Sequence, residues 1–410
     1  MSTLAPRLRF KEFNGSMISN PIASIAKVYD GTHQTPKYVD SGVPFFSVEH
    51  VTRDQFTKTK FISEDVFEKE CKRVRLEKGD ILMSRIGDVG SVKYIHWDVK
   101  ASFYVSLALF KSLEFIKSNY LAHNMSAIPF QRELWSRMIH VAFPKKINLG
   151  EISKCVVNYP KCIDEQQKIA DFLSSVDTKI SQLTEKHRLL KGYKKGVRQQ
   201  IFSQRVRFKD DDGNVLPEWS YKKLSKITSK VGSGSTPRGG QEAYTSNGVI
   251  FIRSQNVYDN KLDLRKTVFI SQSTHTKMKG SKVQKHDVLL NITGASIGRS
   301  CVVPKKFEEG NVNQHVCIIR TNNELDPYYL QFFLSSYLGQ KIIFQSQAGG
   351  GREGLNFESI KLFKIPLPSV KEQQKIAQFL QSLDKKINAV NEQIEQTKLF
   401  KKGLLQQMFV

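Results

Sequence analysis

The chain carries one long segment twice, in two places about half a chain length apart. The first copy begins EQQKIADFLSSVDTKI at Glu165 and ends KKGVRQQIF at Phe202. The second begins EQQKIAQFLQSLDKKI at Glu372 and ends KKGLLQQMF at Phe409. The copies align without a gap, and about half of their positions are identical. Because solenoids contain longer arrays, a segment that occurs twice predicts a duplicated module, whose halves a pseudo-twofold axis can relate.

The duplication extends more loosely into the segments that precede each copy. RLRFK at 7–11 is echoed by RVRFK at 205–209, and GVPFF at 42–46 by GVIFI at 248–252. The turn residues and acidic run of 208–217 predict an exposed junction. The expected divisions are a first globular domain at 1–160, a central helical repeat at 161–204, a junction at 205–218, a second globular domain at 219–368 and a C-terminal helical repeat at 369–410.

We expect each globular domain to have a mixed α+β fold with a curled β-sheet, because short β-branched or aromatic runs alternate with Gly, Asp, Lys and Ser. The predicted strands are Val43–Val51, Asp80–Met83, Val92–Ile95 and Tyr104–Phe110 in the first domain, and Val249–Ile252, Val288–Ile292, Cys301–Val303 and His315–Arg320 in the second. Helices are predicted at Gln131–Val141 and Tyr328–Phe344.

The repeated segments have the apolar spacing of a coiled coil. Apolar residues recur by alternating threes and fours, from Ile169 to Leu190 in the first copy and from Ile376 to Ile394 in the second. Each stripe is too narrow to be buried alone, so we expect two long helices that pack on each other in antiparallel orientation. The alternative is that each helix covers only its own domain.

The net charge of +24 and the isoelectric point near 9.7 indicate a polyanionic partner, either nucleic acid or an anionic membrane surface. Plain solubility is the alternative reason for such basicity. The N-terminal MSTLAPRLRFKEF lacks an apolar signal core and no run of about 18 apolar residues occurs, which disfavours a membrane. The five cysteines form no CxxC pair and are too scattered for a zinc site, so we expect reduced thiols in a cytoplasmic protein.

The second copy resembles the specificity subunit of type I restriction–modification systems. The resemblance rests on PLPSVKEQQKIAQFL at 366–380 and LDKKI at 383–387, and the first copy follows the same pattern from Pro160 to Ile180. It covers nearly the whole chain, because GDIL at 79–82 and NQHV at 313–316 also fit the recognition domains of that family. One small departure is His286, which stands in the second half where the first has Gly79.

The resemblance implies a non-catalytic DNA-recognition subunit. In that family, two target-recognition domains each bind half of a bipartite, asymmetric sequence in double-stranded DNA. Two helical repeats form the spacer and bind two modification subunits, which methylate adenine with S-adenosylmethionine, and restriction subunits add ATP-dependent translocation and cleavage. No cofactor is therefore expected on this chain, and S-adenosylmethionine, ATP and Mg²⁺ are expected in the partner subunits.

The length of the repeated helices also fits a spacer. A helix of about 35 residues is roughly 50 Å long, enough to hold two DNA-reading domains one to two turns of duplex apart.

Two motifs partly resemble catalytic sites. GGGREG at 349–354 fits GxGxxG, but a polar segment precedes it where a dinucleotide site needs a buried strand. DPYY at 326–329 resembles part of an amino-methyltransferase signature, but a helix start with Asp326 as N-cap and Pro327 at the first position explains it better. A self-contained DNA methyltransferase remains one alternative, and a non-specific coiled-coil DNA-binding structural protein is the other.

The candidate DNA contacts lie in polar loops at matching places in the two domains, where amides, hydroxyls and basic groups suit base edges or phosphates. These candidates are His33, Gln34, Lys37, Tyr38, Ser84, Arg85, Arg238, Arg253, Gln255, Asn256, Asn291, Thr293, Arg299 and Arg352. For any one of them the alternative is a surface turn or a polar group that caps the core. The candidates for contact with partner subunits are the acidic residues Glu165, Asp177, Glu372 and Asp384 on the helices.

Overall fold

The computed structural model describes residues 5–237, 239–347 and 354–410, which form two compact units. The first unit holds the chain up to Thr184 together with Glu392–Val410, and the second holds Glu185–Asn391. Each unit therefore contains one globular α/β part and one segment of each of two long helices. The five cysteines are free thiols.

The strands of the first unit are β1 (Met17–Pro21), β2 (Ala26–Asp30), β3 (Tyr38–Val39), β4 (Val43–Phe46), β5 (Lys60–Ile62), β6 (Ile81–Ser84), β7 (Val92–Tyr94), β8 (Ser102–Phe103), β9 (Leu107–Ser112) and β10 (Val156–Pro160). Its helices are α1 (Ile22–Ile25), α2 (Val48–Arg53), α3 (Glu64–Glu70), α4 (Ser118–Met125), α5 (Ile128–Arg137) and α6 (Leu149–Lys154), followed by the long α7 (Ile163–Phe202), which continues into the second unit.

The first unit is layered around an antiparallel sheet in the order β2-β9-β6-β7. Successive side chains of a strand point to opposite faces, so Ile81 and Met83 pack with α4 and α5 while Leu82 faces a second sheet. That second sheet has the order β3-β5-β4-β8, in which β4 and β8 run parallel. A separate ribbon pairs β1 with β10 just before α7.

The strands of the second unit are β11 (Ser220–Lys223), β12 (Thr228–Ser233), β13 (Val249–Ile252), β14 (Val257–Tyr258), β15 (Lys261–Leu262), β16 (Val268–Ile270), β17 (Lys282–Val283), β18 (Val288–Asn291), β19 (Ser300–Val302), β20 (Gly310–Val312), β21 (Val316–Thr321) and β22 (Lys364–Leu367). Its helices are α8 (Gln272–Lys277), α9 (Pro327–Leu334), α10 (Tyr337–Gln345), α11 (Phe357–Lys361) and the long α12 (Val370–Met408), which ends in the first unit. Short 3₁₀ turns lie at Leu224–Lys226, Gly240–Ala243, Ser254–Asn256, Lys279–Ser281 and Gly294–Ser296.

The second unit repeats the layers of the first. Its main sheet has the order β12-β21-β18-β19, and its second sheet has the order β16-β13-β20-β17, again with one parallel pair, β13 and β20. On β18, Val288 and Leu290 pack towards the helices, whereas Leu289 packs into the core between the sheets. The prediction of two mixed α/β domains built on the same plan is therefore confirmed.

The two long helices pack against each other in antiparallel orientation within each unit, as predicted. In the first unit the Lys401 ammonium lies 2.6 Å from the Asp177 carboxylate, and in the second Lys194 pairs with Asp384. Phe409, just after α12, packs on Tyr120 of the first unit, with ring centroids 5.5 Å apart. The alternative that each helix covers only the domain before it is therefore wrong.

The structure differs from the predicted elements at several segments. The predicted helix Gln131–Val141 is wrong at its end, because α5 stops at Arg137 where the backbone of Met138 becomes extended. The predicted strand Tyr104–Phe110 begins only at Leu107, since Leu107 N donates to the Tyr104 carbonyl in a turn.

The run Val43–Val51 ends as a strand at Phe46, because the backbone N–H of Ser47 donates to His50 Nδ1 at 2.9 Å and α2 begins at the next residue. The predicted helix Tyr328–Phe344 divides into α9 and α10, since the Ser336 hydroxyl caps a new helix by accepting from Gly339 N. A Cβ at Gly339 would lie 2.1 Å from the Phe333 carbonyl oxygen, so the break requires glycine there.

The departure at His286 has a simple structural counterpart. Gly79 has a φ of 97° and His286 a φ of 69°, so both residues take the left-handed conformation before the buried aspartate of their turn. The aspartate of each turn is Asp80 or Asp287. It accepts a hydrogen bond from the backbone N–H three residues before it and forms an ion pair with a basic side chain of a neighbouring strand. The turn is thus kept although glycine has been replaced.

Among the described helices, none has a stretch long and apolar enough to span a bilayer.

Candidate nucleic-acid interface

The repeated Glu-Gln pair at the start of each long helix fixes that helix to its globular part. The Glu165 carboxylate is 2% exposed and accepts two hydrogen bonds from the Arg9 guanidinium, at 2.6 and 2.8 Å. In the second unit Glu372 is fully buried and accepts from Arg207 at 3.0 and 3.3 Å. Hydrogen bonding to the carboxylate raises the pKa of both arginines.

The next residue of each repeat, Gln166 or Gln373, is a buried amide that holds three backbone groups. Gln166 accepts from Lys117 N and donates to the carbonyls of Pro160 and Phe115. Gln373 makes the corresponding bonds in the second unit, accepting from Asp326 N and donating to the carbonyls of Glu324 and Pro368. The repeated EQQ motif therefore has a structural role, because it fixes the start of each long helix to the globular part.

The four acidic residues predicted to contact partner subunits all have intramolecular ion pairs. Glu165 and Glu372 are buried by their arginines, so a partner could reach them only if those pairs opened. Asp177 and Asp384 lie on the helix surface, with 44% and 23% of their side chains exposed, and each pairs with a lysine of the other helix.

In the first unit, Asp30 and Arg85 draw four loop segments together. We call segments 31–37, 85–91, 104–106 and 139–146 the first loop cluster. The Arg85 guanidinium donates to the carbonyls of Val105 and Ile147 and lies 3.4 Å from the Asp30 carboxylate. The Arg85 side chain is only 10% exposed, and burial lowers the pKa of its guanidinium, an effect that Asp30 opposes. This predicted DNA contact thus holds the cluster together.

The 31–37 loop presents most of the exposed candidates of the first unit. His33, Gln34 and Lys37 are exposed and Tyr38 is half-buried. His33 Nε2 lies 2.8 Å from the Asp30 carboxylate, which also pairs with Arg73. Burial acts to raise the pKa of Asp30, but the hydrogen bonds from Arg73 and His33 outweigh it and hold that pKa below its ordinary value. The loop is therefore anchored at an ionised carboxylate.

Close backbone packing also fixes the start of this loop. A Cβ at Gly31 would lie 2.1 Å from the Phe103 carbonyl oxygen, and a Cβ at the corresponding Gly234 of the second unit would lie 1.7 Å from that of Val312. Beside the loop is an open cavity of about 300 Å³ whose lining includes His33, Lys69, Lys72 and Arg73.

The hairpin at 139–146 was not predicted from sequence. It is held by Gly87 N donating to the Lys145 carbonyl at 2.8 Å and by a bridge between Ile139 and Lys146. At its tip Val141 and Phe143 are 96% and 103% exposed, and the Lys145 ammonium lies 4.8 Å from the Trp135 ring centroid. The VAFPKK sequence of this hairpin carries no glycine-containing turn signal that would have predicted it.

The second unit assembles corresponding loops with different side chains. Ile292 occupies the place of Arg85, and its backbone bonds to His315 and Leu355 as the Arg85 backbone bonds to Ser106 and Ile147. The half-buried Thr293 hydroxyl lies 2.6 Å from His315 Nδ1. We call segments 234–237, 292–299, 313–315 and 354–355 the second loop cluster.

The remaining candidates divide between buried and exposed positions. Ser84, Asn256 and Asn291 are buried, and each bonds to the backbone of a nearby loop. A direct contact with a base would require these side chains to leave those bonds. Gln255 and Arg299 are exposed, and the Arg299 guanidinium lies 5.7 Å from the Tyr258 ring centroid.

Arg253 is half-buried, and its Nε has no hydrogen-bond partner among the described residues. Arg238 and Arg352 lie outside the described residues, as does most of the GGGREG segment. Across the described ranges, no group of three or more His, Cys, Asp or Glu side chains is arranged to hold a metal ion.

Comparison with known proteins gives one consistent relationship. A family profile described as the type I restriction modification DNA specificity domain matches residues 24–191 and again residues 217–398. A putative type I restriction enzyme specificity subunit, MjaX of Methanocaldococcus jannaschii, is 24% identical over 379 residues, 89% of this chain and 85% of that protein. The EcoBI specificity subunit of Escherichia coli is 28% identical over 245 residues, 56% of this chain and 50% of that protein.

Two solved structures resemble the chain over nearly its whole length. The crystal structure of a type I restriction–modification S subunit from M. genitalium has a TM-score of 0.62 at 15% identity and covers 99% of both chains. A chain from a structure of complex assembly in the type I system has a TM-score of 0.56 at 14% identity, covering 97% of this chain and 98% of that one. These likenesses support the fold, and the family profile, which matches most of the sequence in two copies, shows that the chain belongs to the type I restriction–modification DNA specificity family.

Proposed function

We propose that this chain is the sequence-reading subunit of a type I restriction–modification complex, in which each loop cluster contacts one part of a bipartite DNA target. The observation that carries the proposal is the repetition of one scaffold with different loop chemistry. Backbone bonds around Arg85 recur around Ile292, while the side chains displayed by the two clusters differ. Two similar scaffolds with unlike reading surfaces are what an asymmetric target needs, because base contacts determine sequence preference.

Electrostatics support DNA as the ligand. The net charge of +24 would attract the phosphate backbone, and neutralising each phosphate releases counterions, which makes affinity fall steeply with salt. In the first loop cluster the exposed His33, Gln34 and Lys37 are suited to base edges and phosphates. In the second unit, Arg299 of the second loop cluster and Gln255 of the Ser254–Asn256 turn are exposed and have the same character.

The partners and cofactors of the proposal follow the family pattern. Two modification subunits would bind the helical segments 161–204 and 369–410, which act as the spacer between the recognition domains 1–160 and 219–368, joined by the 205–218 segment. Asp177 and Asp384, partly exposed on the helices, are the better placed of the four acidic candidates to contact those subunits. S-adenosylmethionine would be held by the modification subunits, and ATP and Mg²⁺ by restriction subunits, in the cytoplasm.

The methyltransferase alternative draws no support from its one candidate motif. Asp326 accepts hydrogen bonds from the backbone N–H groups of Tyr328 and Tyr329, both at 2.9 Å, and Pro327 opens α9. These are the contacts of a helix N-cap. The alternative of a structural DNA-binding protein without sequence preference predicts equal affinity for all duplexes of one length.

The test is a map of modified adenines in host DNA with the gene present and deleted, followed by binding competition. The proposal expects one bipartite motif to lose modification when the gene is deleted. A duplex with that motif should then outcompete a scrambled duplex of equal length at least a thousandfold for the purified complex at physiological salt. An unchanged map, or equal competition by the scrambled duplex, would reject the proposal.

A further inference from the structure

An open concavity of about 750 Å³ lies against the second sheet of the first unit. Its lining includes Thr35, Tyr38, Arg53, Lys58, Lys60 and Tyr104. Thr35 belongs to the 31–37 loop and Tyr104 to the 104–106 turn, and their hydroxyls lie 3.3 Å apart. The concavity is therefore continuous with the first loop cluster.

Aromatic rings and a lysine form one packed group in this concavity. The Lys60 ammonium lies 4.4 Å from the Tyr38 ring centroid. Tyr38 and Tyr104 each pack edge-on against Phe45, with centroids 6.0 and 6.1 Å apart. The sheet below fixes these rings, since Phe45 lies on β4 and Lys60 on β5. A rigid group of tyrosines beside a flexible lysine suits a nucleotide of duplex DNA, because hydroxyl and ammonium groups can contact base edges and phosphates.

The charge of the concavity is also suited to DNA. Three cationic side chains, Arg53, Lys58 and Lys60, line it. Among the described residues of its lining, Glu49 is the one acid, and it lies 3.8 Å from Arg53. Lys58 and Lys60 have no carboxylate partner within ion-pair distance in the described part of the chain, so both ammonium groups are available to phosphates.

The second unit has a related pair of rings with a different cation. Tyr244 packs on Phe251 with centroids 5.7 Å apart and ring planes tilted by 36°, whereas Tyr38 packs edge-on against Phe45. The cation over Tyr244 is the Arg253 guanidinium, at 5.7 Å, and it comes from the end of β13 rather than from the neighbouring strand. The buried Arg253 Nε without a partner leaves one donor unused.

We propose that Tyr38 and Lys60 in the first unit, and Tyr244 with Arg253 in the second, each contact one nucleotide of their own half of the target and so help to determine its sequence. The inference rests on the proposed function and names residues that act within it. Lysine donates as a point charge whereas arginine forms a fork that matches the guanine edge, so exchanging one for the other changes which base is favoured.

The experiment uses the full complex of the chain with its partner subunits, produced from the host with each variant at the native locus. Modified adenines are mapped, and affinity is measured for a duplex carrying the wild-type motif. The variants are Lys58→Ala with Lys60→Ala, Tyr38→Leu and Arg253→Ala. Lys27→Ala is the matched control, because Lys27 is exposed on β2 outside the lining of the concavity.

We expect the double lysine variant and Tyr38→Leu each to weaken binding about tenfold or more and to relax only one part of the motif. Arg253→Ala should relax the other part. The double lysine variant should also reduce the slope of log affinity against log salt by about 1 to 2, while Lys27→Ala stays within twofold of the wild type.

Two results would overturn the inference. One is wild-type affinity and an unchanged motif in the double lysine variant, whose exposed substitutions leave the core intact. The other is relaxation of the same part of the motif by Arg253→Ala and by the lysine variant. The wild-type map distinguishes these outcomes from failure of the proposed function, because a motif that depends on the gene must appear there first.

Discussion

Asp177 of α7 and Lys401 of α12 form an ion pair in the first unit, with the ammonium 2.6 Å from the nearer carboxylate oxygen. Their equivalents in the repeat, Asp384 and Lys194, form the corresponding pair in the second unit. In both pairs the acid comes from the first half of one long helix and the base from the second half of the other. Each globular part is therefore completed by the end of a helix that begins in the other half of the sequence.

Removing the side chain of Phe409 should destabilise the first unit. Phe409 is 3% exposed and packs on Tyr120, so Phe409→Ala leaves a cavity that should lower the free energy of unfolding by about 3 kcal/mol. The measurement is thermal unfolding combined with hydrogen exchange of β6 and β9. Phe400→Ala is the matched control, because Phe400 is 55% exposed. Equal stability of the two variants would contradict the burial of this helix end.

Removing Arg9 should leave a buried charge without its partner. Arg9→Ala strips both hydrogen bonds from the Glu165 carboxylate, which should lower the free energy of unfolding by about 3 kcal/mol at neutral pH. Arg188→Ala breaks an ion pair of similar length, with Glu185 at 2.6 Å, but both partners are exposed. Its melting temperature should match that of the wild type. Equal melting temperatures of the two variants would show that the Arg9–Glu165 pair contributes no more to stability than an exposed ion pair.

The two glutamines of the EQQ motif should differ sharply in their effect on stability. Gln166→Ala leaves buried backbone groups of Lys117 and Pro160 without partners, which should lower the free energy of unfolding by about 2 kcal/mol. Gln167→Ala removes an exposed bond to Asp171 and should change little. Chemical denaturation of both variants checks this expectation, and a larger loss for Gln167→Ala would reverse the assignment.

The first unit should lose stability in mild acid through His123. Burial, followed by the nearby Lys401 ammonium, lowers the pKa of His123 to about 4, although Asp177 acts to raise it. His123 therefore takes up a proton near pH 6.5 in the unfolded chain but only near pH 4 in the folded chain. The free energy of unfolding consequently falls as the pH drops through this interval. The expected loss from this residue is about 3 kcal/mol.

The second unit supplies a matched variant for that test. Phe332 occupies the corresponding place on α9, with the Lys194 ammonium 5.1 Å from its ring centroid. His123→Phe should therefore fold and should lose less stability than the wild type between pH 7 and pH 5. Melting curves at the two pH values decide the matter, and an identical acid loss in both proteins would assign it to other groups.

Sequence patterning predicted the architecture well because duplication and apolar periodicity are properties of local sequence. The heptad stripes predicted paired helices, and alternating runs predicted most strands. The structural role of Glu165 was missed, since its partner Arg9 lies 156 residues away and an acidic residue at a helix start ordinarily faces solvent.

The candidate site was harder to predict for the same reason. A polar side chain after a strand can face DNA or cap a loop, and the sequence does not distinguish the two. Arg85 and Asn291 lie among the buried residues because distant loops surround them. Lys58 and Lys60 of the concavity were not predicted as DNA contacts, since lysines in a short loop and strand are common on any protein surface.

If each recognition domain reads its own part of the target, exchanging residues 17–160 for those of a relative with a different target should alter one part alone. Both long helices and the second unit stay unchanged in this exchange. Modified adenines are then mapped in host DNA. We expect a hybrid motif in which one part comes from the relative and the other part is that of the wild type. A motif altered in both parts, or unchanged in both, would contradict this expectation.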